Sequence, residues 1–311
     1  MKEYKSNEEL IKYLISKNVL VNNERDAINK IEKYTYYSVI NSYKNNFKDS
    51  NNNYLPNVTF DEIFALYEFD KNLKYIILKY ALEIETVIKS LMANQISKVY
   101  GLKDYLNINN LDDRAPLQIK ENIVNRINDE IDHNYNVHSA VTHYKDTYGY
   151  IPFYVLSKCL TFGTIKKLFN VMKQVDQDDV CNLVLFREIP KKKISRTKQM
   201  IALIADVRNM CAHDEIVFSF VHGSIDIGLL PEHGEFKLKT TKNGDLIQGR
   251  KDLFALLLSM KYFMNRTDYN KMIQRIDALI TKTASKSTVY SKEDLLDTMN
   301  LPLDFVKIRQ I

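Results

Sequence analysis

Apolar residues recur along most of the chain at steps of three and four, the spacing of one buried helix face. Ser6 with Glu9 three positions on forms the pattern of a capping box, and Leu10, Tyr13 and Leu14 then predict a short amphipathic helix. A second helix is expected from about Glu24 to Phe47, burying Ala27, Ile28, Ile31, Tyr34 and Val39. Asn51-Asn52-Asn53 through Pro56 breaks the pattern, so residues 1–55 are taken as an N-terminal helical unit and 56–311 as the main domain. Ile77, Tyr80, Ala81, Ile84, Val87, Ile88, Leu91 and Met92 give the clearest helix, which Gly101 should end. Further helices are expected at Pro116 to Asp132, His138 to Tyr148 and Phe153 to Met172, with Gly149 to Pro152 between the last two.

Another helix should start near Lys193 and reach about His213. The texture then changes. Ile216 to Val221, Ser224 to Leu230, Glu235 to Thr240 and Asp245 to Ile247 are short β-like runs, punctuated by His222-Gly223, Pro231, His233-Gly234 and Asn243-Gly244. They predict a small β-hairpin insertion at about 215–249. The helical period resumes with Leu253, Leu256, Leu257, Met260, Phe263 and Met264, and no repeat of solenoid length is present. The expected fold is mostly α, with one small β element.

Composition sharpens this picture in a few places. Of 311 residues only 8 are Gly and 6 Pro, which favours long helices over a turn-rich all-β chain. The longest purely apolar run, Leu253 to Leu258, is far short of the ~20 residues of a membrane span. Met1-Lys-Glu-Tyr-Lys-Ser6 lacks an apolar signal region, and Cys159, Cys181 and Cys211 lack zinc-site or disulfide spacing. A cytoplasmic protein with reduced thiols is the expectation. The net charge of +5 is mildly basic, and its distribution matters more. Arg187, Lys191, Lys192, Lys193, Arg196 and Lys198 face a single acid, Glu188. Such a run is commonly a solvated face, yet it leads directly into the helix ending at His213. Lys191, Lys192, Lys193, Arg196 and Lys198 are therefore candidate phosphate contacts, should the helix they lead into carry nucleic-acid chemistry.

The chain holds no phosphate-binding loop, dinucleotide fingerprint, zincin motif or nucleophile elbow. His133, His138 and His143 fall five apart and do not share a helical face, so neither a metal site nor a cofactor is expected. What remains is Arg208-Asn209-Met210-Cys211-Ala212-His213, an R-N-x-x-x-H string at a helix end. Met200, Leu203, Ile204, Val207, Met210 and Cys211 mark the helix's apolar stripe, while Asn209 and His213, four apart, share the opposite face. Arg208 lies on the flank. A histidine can move protons near neutral pH, and an arginine fork can hold phosphate oxygens as charge builds. These types suit RNA cleavage without a metal, with the ribose 2′-OH as nucleophile.

That string, with its context, resembles the HEPN superfamily and specifically its Abi (abortive infection, AbiD/AbiF-like) branch. The resemblance covers most of the chain. Tyr13-Leu-Ile-Ser-Lys-Asn-Val-Leu20, Ala27, Ile31-Glu-Lys-Tyr-Thr-Tyr-Tyr-Ser38 and Tyr43 are similar to the family's N-terminal unit. Leu66-Tyr-Glu-Phe-Asp-Lys-Asn-Leu-Lys74 with Glu83-Ile-Glu85 is similar to its first long core helix. His143-Tyr-Lys-Asp-Thr-Tyr148, Ile151-Pro-Phe-Tyr-Val-Leu156 and Thr161-Phe-Gly-Thr-Ile165 resemble its H-Y-x-x-x-Y, P-I-W-V-like and S-F-G-x-L segments. Val207-Arg-Asn-Met-Cys-Ala-His213 resembles the L-R-N-x-C-A-H signature.

The resemblance implies a HEPN-like helical bundle in which Arg208, Asn209 and His213 are catalytic. It further implies an anti-phage, toxin-like ribonuclease, a homodimer, and control by or binding to a small noncoding RNA. Two departures stand out: Asp214-Glu215 follows His213 where the family often has a histidine and an arginine, and Tyr154 holds the tryptophan position. The alternative is a non-catalytic HEPN regulator that binds RNA or protein.

Overall fold

Ser6 caps the first helix as its spacing predicts: its backbone N–H donates to the Glu9 carboxylate at 2.7 Å, and its hydroxyl accepts from Glu9 N–H at 3.3 Å. In the computed structural model, which describes residues 4–189 and 191–311, this helix is α1 (Asn7–Ser16). Residues 1–3, where the expected N-terminal unit begins, lie outside the described residues. Ile11 and Leu14 are the buried side chains of α1, and Tyr13 points outward.

The expected helix from Glu24 to Phe47 is three pieces. Helix α2 (Glu24–Tyr34) stops at Thr35, whose φ of 65° lies in the left-handed region disfavoured by a β-branched side chain. A π-helical turn (Tyr37–Asn41) and a 3₁₀ turn (Lys44–Phe47) follow. Leu20 N–H donates to Val58 C=O at 2.9 Å and Phe60 N–H to Leu20 C=O at 2.8 Å, stitching the unit to the next helix. Its buried side chains join one core that runs from Ile11 to Ile308.

Helix α3 (Phe60–Tyr100) is the axis of the fold. Its 41 residues span about 60 Å at 1.5 Å each. Thr59 and Glu62 form a capping box at its start, and Gly101 ends it at φ 74°. Around it stand α4 (Leu117–Asn134), α5 (Ser139–Tyr148), α6 (Phe153–Leu156), α7 (Phe162–Val171), α8 (Gln174–Val184) and α9 (Lys193–Ala212). Next come α10 (Leu253–Phe263), α11 (Arg266–Ala284) and α12 (Lys292–Thr298). The expected helix from Phe153 to Met172 is thus broken, because Thr161 caps a new start by accepting from Thr164 N–H at 3.1 Å. Helix α9 is packed by α3, α7, α8 and α10. Every residue of α10 is buried. Each large apolar side chain so enclosed contributes about 1.5–3 kcal/mol relative to exposure.

The β-hairpin insertion expected at about 215–249 is not formed; no strand occurs among the described residues. The Asn243-Gly244 turn is present, but a single antiparallel bridge, Thr240 to Leu246, flanks it. Side chains satisfy the backbone in place of a ladder. His222 Nδ1 accepts from Ser224 and Ile225 N–H at 3.0 and 2.8 Å, and Asp226 accepts from Gly228 N–H at 2.8 Å. Pro231–Glu235 closes into a 3₁₀ turn held by His233, whose Nδ1 accepts from Leu230 N–H at 2.9 Å.

Candidate functional site

One face of α9 stays open along its length. Ser195, Gln199, Ala202, Asp206, Asn209 and His213 follow one another at steps of three and four, and none of them is buried. Asn209 and His213 are exposed on this face, as their spacing predicts. His213 ends the helix as its C-cap, its N–H donating to Asn209 C=O at 2.9 Å. Among the described residues no side chain holds the His213 ring by a hydrogen bond or an ion pair, which leaves both ring nitrogens available to a ligand.

Arg208 reaches around the flank to α3. Its Nε lies 3.0 Å from Oε2 of Glu85, a buried carboxylate that also pairs with Lys89 at 2.7 Å. The Nε–H does not aim at that oxygen, so the ion pair carries no directed hydrogen bond although both atoms are shielded from solvent. Nη1 donates to Asn209 Oδ1 at 3.1 Å. Glu85 and Asn209 therefore engage two of the guanidinium nitrogens, one from α3 and one from the motif helix itself.

The turn after His213 is clamped from below. Asp214 stands at φ 59° and pairs with Lys74, which also lies 3.5 Å from Asp70. Asp70 is fully buried and accepts from Val217 N–H at 3.1 Å, Phe218 N–H at 2.7 Å and the Tyr43 hydroxyl at 2.8 Å. Burial pushes its carboxyl above the ordinary range, against the pull of Lys74 and these donors. The Asp214 charge is thus matched by Lys74.

Glu85, Lys89, Asp70 and Lys74 did not emerge as site residues from the sequence. Their signal was the presence of charges, four apart, within the apolar period of a long helix. Cys211 in the motif is no nucleophile, because burial pushes its thiol up to about 12. His222 adds none either: Nδ1 accepts backbone N–H groups and Nε2 faces Asp206 at 3.4 Å, so both nitrogens are engaged.

The basic segment sits at the opposite end of α9. Lys191 and Lys192 are exposed, and grooves of about 520 and 510 Å³ flank the Lys192–Lys193 ridge. Lys193 is engaged by Asp178 and Asn182, both at 2.7 Å, and Lys198 donates to Asn170 C=O at 3.2 Å with burial pulling its pKa down. Arg196 is half-buried beside Gly228. The 20 residues of α9 put about 30 Å between this segment and His213. Five cations expected as a group divide into an exposed pair and three embedded ones. Pro190, beside them, lies outside the described residues.

No group of three His, Cys, Asp or Glu side chains among the described residues gathers closely enough to hold a metal. No described helix is long and apolar enough to cross a membrane. No curated protein and no solved structure matches the chain. The family model for Abi-like proteins matches residues 29–219, from within α2 through the motif helix to the clamped turn behind it. That stretch is more than half of the sequence, and the chain belongs to the family of Abi-like proteins.

Proposed function

We propose that the protein is a HEPN-type ribonuclease of abortive infection, cutting RNA without a metal and working as a homodimer. The observation that carries this reading is the geometry at the end of α9. An accessible imidazole and an amide share one open face, and a guanidinium is held at its edge by Glu85. In the reaction the ribose 2′-OH attacks the adjacent phosphorus, losing its proton to a base. The O2′–P bond forms, the P–O5′ bond breaks, and the leaving 5′-oxygen takes a proton from an acid. Arg208 holds the non-bridging oxygens as charge builds. Products carry 2′,3′-cyclic phosphate and 5′-hydroxyl ends.

One His213 cannot serve as base and acid at once. A two-fold axis beside the open face of α9 brings a second Arg208 and His213 to the same phosphate. Lys191 and Lys192 contribute remote phosphate contacts, and a small noncoding RNA is the partner that restrains or directs the enzyme.

Purified protein is expected to cut single-stranded RNA in excess EDTA and to leave a fully 2′-deoxy strand intact. His213→Ala should lower the rate by about a hundredfold or more, the scale of a lost acid–base group. Mixed dimers with this variant should lose more activity than dilution of wild-type subunits accounts for. Magnesium-dependent cleavage would refute the mechanism, and activity proportional to the wild-type fraction would refute the shared site.

A further inference from the structure

A second surface stands out where α5 meets α6. Gly149, at φ 72°, reverses the chain and brings together Tyr144 and Tyr148 of α5, Tyr150 of the turn and Tyr154 of α6. Ring centroids lie 5.4 Å apart for Tyr144–Tyr148, 6.3 Å for Tyr148–Tyr150 and 6.2 Å for Tyr144–Tyr154. The Tyr144 and Tyr154 hydroxyls lie 3.2 Å apart, and His143 stands edge-on to Tyr144 and Tyr148. Tyr148 is 54% exposed and Tyr154 40%.

Tyr148, Tyr150 and Tyr154 lie outside the core, while Tyr144 is partly buried against it. Val141, Phe153, Val155 and Leu156 supply the buried sides of α5 and α6, and Tyr154 faces outward between them. Exposed contiguous aromatic surface is uncommon without a partner. Lys103 lies 5.0 Å from the Tyr150 ring centroid, and Lys158, four residues after Tyr154, is exposed on the turn after α6. The nearest acid on α5, Asp146, accepts from the Tyr135 hydroxyl at 2.8 Å.

Helix α6, which carries Tyr154, packs on α3, the helix that bears Lys89 and Glu85. Cys159 lies five residues beyond Tyr154, its thiol raised by burial and acted on by both Glu130 and Lys89. Lys89 pairs with Glu85, and Glu85 with Arg208.

We propose that Tyr144, Tyr148, Tyr150 and Tyr154 form a stacking platform for the bases of single-stranded RNA, with Lys103 and Lys158 meeting its phosphates. The inference rests on the ribonuclease reading and names how the substrate is gripped outside the His213 motif. Phenol faces bind any base, so the platform selects unpaired strands and little sequence. A duplex, whose bases are already stacked, gains nothing from it.

The test uses full-length protein carrying His213→Ala, so that binding is read without cleavage. The probe is a fluorescein-labelled oligouridylate about a dozen nucleotides long. Tyr148→Ala with Tyr154→Ala should weaken binding by about tenfold or more, whereas the paired Phe variants, which keep the ring faces, should stay within about twofold of the parent. The chain has no Trp, so its intrinsic emission is that of tyrosine. RNA should quench that emission in the parent and less in the Ala pair. Thermal unfolding of the Ala pair checks that it folds.

Equal affinity in parent and Ala pair overturns the platform, as does an equal loss in the Phe pair. An Ala pair that changes only self-association shows a protein interface and overturns it too. These results leave the cleavage assay standing. A parent that binds no RNA and a wild type that cuts none instead bring down the ribonuclease reading, and the platform with it.

Discussion

Arg208 is half-buried, and its chemistry depends on what neutralises it. Glu85 supplies a carboxylate from another helix, and Asn209 supplies an amide oxygen from the next position. In the proposed ribonuclease Glu85 is a positioning residue, holding the fork from α3 while Asn209 holds it from α9. Removing the carboxylate lets the side chain swing into solvent. Glu85→Gln is expected to lower single-turnover cleavage on the order of tenfold to a hundredfold, the cost of a displaced catalytic group. Substrate affinity should change much less, and Glu85→Asp should recover part of the loss. Unchanged turnover in Glu85→Gln would show that Arg208 holds its place without help.

At the scale of elements, α9 owes its setting to charges on α3 as much as to its apolar stripe. Asp70 joins the N-terminal unit through Tyr43, its own helix through Lys74, and the segment behind the motif through Val217 and Phe218. Asp70→Ala strips one partner from a buried network and is expected to cost about 3 kcal/mol or more in denaturant unfolding. It should also raise hydrogen exchange at Val217 and Phe218 before the core exchanges. Uniform exchange in the variant would deny the clamp.

The same elements show what was legible beforehand. Helix α9 was predicted to within a residue, since its apolar period is strong and a charged run marks its start. The Gly101 stop of α3 was legible for the same kind of reason. Residues 215–249 were not, because His222, Asp226 and His233 satisfy the backbone locally, and alternating Ile and Phe carry no mark of that. Helix α8 hid behind Asp176, Gln177, Asp178 and Asp179, which dilute its apolar face. The partnership of Arg208 with Glu85 spans two helices far apart in sequence, and no local pattern encodes such a pair.

For the molecule as a whole, Lys261 gives a titratable handle on stability. It is buried in α10, donates to Ile311 C=O at 2.7 Å and lies 3.6 Å from Glu232. Burial pulls its ammonium down to about 8 from the ordinary 10.5, with Glu232 opposing. Between those values the unfolded chain binds more protons than the folded one, so this group makes stability rise with pH from about 8 to 10.5. Urea midpoints of wild type and Lys261→Met, compared across that window, should show the rise in wild type and its absence in the variant. Parallel curves would mean that the amine titrates normally. On the same scale, α9 would act as a ruler in the proposed ribonuclease. Its ends are about 30 Å apart, and a stacked strand advances about 3.4 Å per nucleotide, so about nine nucleotides separate His213 from the exposed lysine pair. On that reading shorter RNAs engage one end of the helix and longer ones both. The salt dependence of binding should therefore step up near that length, and Lys191→Ala with Lys192→Ala should erase the step while leaving short oligonucleotides untouched.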